Sequence, residues 1–80
     1  MSIKRNKARK SKLDLVASMI EGRNIKWSHR NVGNYFIFEI PDVEIHVSHD
    51  EIKMIKDGIV ISYFDDRFDN VLDKLEKPLN

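Results

Sequence analysis

Apolar and polar residues alternate most regularly between Asn34 and Ser48. Phe36, Phe38 and Ile40 stand against Tyr35, Ile37 and Glu39, and then Val43, Ile45 and Val47 stand against Glu44, His46 and Ser48. Successive strand side chains point to opposite faces, so each run predicts a strand with one wholly apolar face. Pro41-Asp42 between them is turn chemistry, since Pro presets φ at the first central position and Asp suits the second. The rest of the chain is expected to cover or extend this hairpin.

Upstream the period changes. Leu13, Val16, Ala17 and Ile20 recur at i, i+3, i+4 and i+7, and Leu15 and Met19 widen the stripe, which predicts a helix over 12–21. Ser11 reads as its N-cap with Asp14 three residues on, and Gly22 as the residue just past its end. Ile25 and Trp27 alternate with Lys26, Ser28 and Arg30 as a short strand over 24–30, joined to the hairpin by the turn Asn31-Val32-Gly33-Asn34.

Downstream, residues 48–58 admit two readings. Ser48 with Glu51 forms a capping-box pattern that Gly58 could end as a short helix. Ile55-Lys56-Asp57-Gly58-Ile59 is also a tight turn, making 51–55 and 59–64 a second hairpin, and this reading is preferred. A last helix over 66–77, capped by Asp65 or Asp66 and stopped by Pro78, carries Phe68, Val71, Leu72 and Leu75 as its core stripe. The expected fold class is α+β: a mainly antiparallel sheet of four or five strands with an N-terminal and a C-terminal helix packed on one face. The other face would show Lys26, Ser28, Arg30, Tyr35, Ile37, Glu39, Glu44 and His46, unless the second helix covers it.

Composition narrows the class. Eighty residues make one small domain that buries roughly 60% of its unfolded surface. With no Cys there is no disulfide framework and no thiolate metal site. Apolar residues make up 41% and charged residues 34%, which suits a folded domain with a heavily charged surface. No secretory signal and no run of ~20 apolar residues is visible, so the expected location is the cytoplasm, that of the host if the protein is viral.

Charge changes the picture more. The net value of +1 hides an asymmetry. Residues 1–40 hold nine Lys/Arg against three Asp/Glu, and residues 41–80 hold five against ten. Lys4, Arg5, Lys7, Arg9, Lys10 and Lys12 fall together with no acidic residue among them. Residues 1–10 offer little apolar surface to offset ordering entropy, so they read as a flexible basic arm ahead of a single domain at 11–80. Lys and Arg neutralise phosphates and release counterions, which gives salt-dependent, sequence-tolerant binding of nucleic acid. Tyr35 between Lys26 and Arg30 on the uncovered sheet face would add an aromatic beside two cations.

Other clusters say less. Asp66, Asp69, Asp73 and Glu76 line one flank of the last helix, where they could imitate phosphates for a basic groove. His46 and His49, three apart at a strand end, point to opposite faces, so neither a metal site nor a cofactor is expected. His29 and His46 lack the nucleophile or phosphate-loop motif that would make an enzyme of the chain.

No motif identifies a family. The order helix, three antiparallel strands, helix resembles that of double-stranded-RNA-binding domains, although Asp65, Asp66 and Asp69 stand where a basic cluster would open the last helix. The compact, Cys-free, Lys/Ile-rich chain is similar in style to small accessory proteins of bacteriophages. The leading expectation is a small non-enzymatic protein that binds nucleic acid or a nucleoprotein complex through its basic arm. The alternative is a phage-type inhibitor or adaptor that engages a host nucleic-acid enzyme through its acidic helix and sheet edge. An uncovered edge strand also admits a homodimer.

Overall fold

The structure, a computed structural model, describes the backbone of residues 2–75 and the side chains of residues 12–75. Helix α1 (Ser2–Glu21) leads into five strands: β1 (Ser28–Val32), β2 (Tyr35–Ile40), β3 (Val43–Val47), β4 (Ile52–Lys56) and β5 (Ile59–Ser62). Helix α2 (Asp66–Leu75) follows. The strands make one antiparallel sheet in the order β1-β2-β3-β4-β5, so each pairs only with its neighbours in sequence. This is the expected α+β fold, with the second hairpin rather than a short helix after Ser48.

Helix α1 starts at Ser2, not at Lys12, so the backbone of the basic stretch is the first half of this helix. Ser11, expected as its cap, lies inside it. The physical reason is propagation. The nucleus that docks through Val16 and Ile20 has already met the cost of the first turn. Ala, Lys and Arg then extend it N-terminally at little cost in helix propensity. At about 1.5 Å per residue, Ser2–Ser11 add ~15 Å of helix.

The other end also differs from expectation. The left-handed residue is Asn24 (φ 59°), not Gly22. The Ile25 N–H donates to the Ile20 carbonyl (3.1 Å) and the Asn24 N–H to the Glu21 carbonyl (3.0 Å), the bond pair of a Schellman cap. That cap consumes Asn24 and Ile25, so β1 begins at Ser28 rather than at 24.

Each hairpin turn carries the residue its geometry demands. Gly33 (φ 59°) opens the β1–β2 turn, and Asp42 (φ 64°) follows Pro41 in the β2–β3 turn as in type II. Asp57 (φ 53°) and Gly58 (φ 79°) are both left-handed, which is type I′ and fits the twist of β4 and β5. The Ser48–Glu51 pair closes the β3–β4 loop instead of capping a helix: the Ser48 N–H donates to the Glu51 carbonyl (3.0 Å), and Ser48 Oγ accepts from the Asp50 N–H (3.2 Å). At α2, Asp65 is the N-cap, its Oδ1 accepting from the Arg67 N–H (2.9 Å). The expected extension to Lys77, Glu76 and the stop at Pro78 lie outside the described residues.

One core joins both helices to one face of the sheet. Val16 and Ile20 of α1 and Phe68 and Leu72 of α2 close on Phe38, Ile40, Val43, Ile45, Val47, Ile52, Met54 and Ile61. Leu13, Ala17, Met19, Trp27, Phe36, Val71 and Leu75 are packed around its margin, whereas Leu15 is exposed. Arg23 ties the helices together, its Nη2 lying 2.9 Å from Asp73 Oδ1.

Candidate nucleic-acid interface

The sheet face turned away from the helices displays Ser28, Arg30, Tyr35, Glu39, Glu44 and His46, as the alternation implies, joined by Lys53 and Glu51. The register sets Arg30 and His46 directly opposite Ile37 on either side, and Lys53 opposite His46. Lys26 lies before β1 and takes no part in this row.

The polar groups here satisfy one another. Arg30 Nε lies 2.8 Å from Glu39 Oε2, and its Nη2 lies 2.9 Å from Glu44 Oε2. His46 Nε2 lies 3.0 Å from Glu44 Oε1, and Ser28 Oγ donates to Glu39 Oε1 (3.4 Å). The Tyr35 hydroxyl donates to Glu51 Oε2 (2.7 Å), and Lys53 Nζ sits 5.0 Å from the centre of the Tyr35 ring. The bond from His46, with Arg30 adding its charge, holds the Glu44 carboxyl below the usual carboxylate range. The Tyr35 hydroxyl, aided by Lys53, does the same for Glu51.

Two consequences follow. Ile37 is only 3% exposed although no described helix lies on its face, because this mesh of side chains closes over it. Arg30 and Lys53 face Glu39, Glu44 and Glu51, so the patch is short of positive charge. Arg30 and Tyr35 are thus both engaged by carboxylates on this face, and Lys26 lies outside their row.

The stretch holding Lys4, Arg5, Lys7, Arg9, Lys10 and Lys12 is different. Its backbone is a single helix that runs on into the core at Val16 and Ile20, and it contains no acidic residue before Asp14. On α2, Asp66, Asp69 and Asp73 are all exposed, but Asp73 is engaged by Arg23; Glu76 lies outside the described residues. The histidines separate: His29 stacks on Phe36 (4.7 Å between centroids, 7° between planes) at the core side, and His46 belongs to the opposite face. Among the described residues no three metal-ligating side chains gather.

Sequence reasoning missed one feature. Ile59 (53%) and Val60 (56%) leave unusual apolar area exposed at the β5 edge, and Phe64 (91%) stands bare beyond the strand, on the side of Leu15 and Ile52. The run Ile59-Val60-Ile61 signals a strand, but an apolar run reads the same way for a buried central strand as for a bare edge.

No helix among the described residues is long and apolar enough to cross a membrane. Comparison with protein-family models, curated proteins and solved structures finds no match.

Proposed function

We propose that the chain is a small non-enzymatic protein that binds nucleic acid, alone or within a nucleoprotein complex, through the Lys/Arg-rich first half of α1. One observation carries this: six cations occupy residues 4–12 of one helix without an intervening acid, while the sheet cations are spent on carboxylates and an aromatic ring. A helix is the element that a duplex major groove, about 12 Å wide, admits. Phosphate contacts from Lys and Arg give affinity through counterion release and carry no base preference.

The test is binding to unrelated DNA and RNA oligonucleotides at two salt concentrations. If all six cations meet phosphates on duplex DNA, affinity falls about a thousandfold between ~50 and ~200 mM salt. Deleting residues 1–10 should remove most of the binding. Equal binding with and without those residues rejects the reading.

A second reading draws on a different surface. Asp66 and Asp69 are exposed on α2, close in sequence to the bare Phe64 ring. An acidic helix flank beside an apolar anchor suits an inhibitor or adaptor that enters a basic groove of a nucleic-acid enzyme. Here one stoichiometric protein partner should be recovered by the chain, and Asp66→Lys with Asp69→Lys should abolish recovery. A partner retained by the reversed chain excludes this surface.

A further inference from the structure

We infer that the β5 edge is a self-association surface, pairing antiparallel with β5 of a second copy about a two-fold axis at Val60. The backbone supplies the first argument. In an antiparallel pair, alternate residues exchange hydrogen bonds with their partner strand and the ones between face away. The Asp57-Gly58 turn makes Lys56–Ile59 the closing pair of the hairpin, and the Tyr63 N–H donates to the Ile52 carbonyl (3.1 Å) in the same phase. Residues 59, 61 and 63 are therefore bonded inward to β4. The N–H and C=O of Val60 and the N–H of Ser62 face an edge that no described strand pairs.

The second argument is what this edge lacks. Native edge strands carry charge, Pro or a bulge that discourages pairing. Strand β5 reads Ile-Val-Ile-Ser with none of these, while β1 at the far edge carries His29, Arg30 and Asn31.

Symmetry supplies the third. An axis at Val60 sets Val60 against Val60 of the second copy, and Ile59 against its Ile61. Every cross-strand pair on the ladder is then apolar with apolar, on both faces. A cleft of about 290 Å³ between β5 and α2, with Ile59, Ile61 and Val71 as its apolar part and Lys56, Asp57, Arg67, Asn70 and Lys74 around them, stands where Ile59 of the second copy would enter. The Lys56–Asp57 ion pair of one copy meets the Asp65–Arg67 pair of the other, so no row of like charges is created. A ladder of residues 59–61 from each copy falls at the small end of specific interfaces, below about 1,200 Å², so the dimer should depend on concentration.

This inference does not rest on the nucleic-acid reading and is tested without nucleic acid. Sedimentation equilibrium of the full chain at roughly 0.1 mM should give twice the 9.4 kDa chain mass. Val60→Lys and Val60→Glu each place like charges directly opposite across the axis and should each return the monomer mass. An equimolar mixture of the two should regain the doubled mass, which also shows that both variants are folded. A wild-type chain that stays monomeric up to ~0.5 mM overturns the proposal. So does either variant remaining dimeric alone, or a mixture that stays monomeric. A monomer that instead takes up a strand-forming peptide of another protein overturns it in favour of that occupant.

Discussion

Replacing Ile37 by Ala tests whether the uncovered sheet face is truly sealed by its own polar side chains. Ile37 is 3% exposed and stands outside the cluster that joins the helices to the sheet. Its cover comes from cross-strand neighbours, Arg30 on one side and His46 on the other, both anchored on Glu44. Fully burying an Ile side chain is worth roughly 1.5–3 kcal/mol over leaving it exposed, and large-to-small changes in cores cost about 2–5 kcal/mol. Arg30 and His46 can settle into the space more readily than a packed helix, so the low end applies, about 2 kcal/mol. With a urea m-value of ~1 kcal/mol/M for a small domain, the unfolding midpoint should fall by ~2 M. Equilibrium urea unfolding followed by circular dichroism measures it. If the face were a bare platform open to ligand, Ile37 would already be solvated and the loss would stay within ~0.5 kcal/mol. A loss below about 1 kcal/mol would therefore refute the sealed-face reading and restore Tyr35 and Arg30 as an accessible surface.

Other outcomes follow from the turns and caps. Gly58→Ala meets no atom within 4 Å, so its cost is that of a left-handed backbone alone, about 1 kcal/mol, read as a lower urea midpoint. An unchanged midpoint would contradict the type I′ turn. The Asp65 carboxylate is held down to about 2 by its bonds to the Arg67 side chain and N–H. Its folded pKa lies below the ordinary value, so its stabilisation is complete above that value and is lost as pH falls through the folded one. Thermal melts of Asp65→Asn between pH 5 and pH 2 should show a shallower acid decline than the wild type, and parallel curves would dismiss the cap.

The sheet is legible in the sequence because period-two alternation and turn chemistry agree. Phe38, Ile40, Val43 and Ile45 fall on the core face, and Pro41-Asp42 and Asp57-Gly58 sit where φ must be special. Two features are not legible. The start of α1 is hidden because polar composition says nothing about a helix propagated from a docked neighbour, so Ser11 passes for a cap. The pairing of Arg30 with both Glu39 and Glu44 depends on strand register, and a cation in sequence carries no sign of the carboxylates that will flank it. The candidate site divides along the same line. The cationic run is visible as spacing alone, whereas the carboxylate partners of Arg30 and Tyr35 required the assembled sheet.

The unbroken run of α1 from Ser2 to Glu21 has an energetic consequence. Crowded cations repel one another along the first turns and weaken the helix they belong to. Any polyanion that quenches this repulsion firms up those turns and, through the shared backbone, the turns that hold Val16 and Ile20 in place. Occupancy at one extremity would then register as a higher melting temperature for the whole molecule, with no new contact made to its interior.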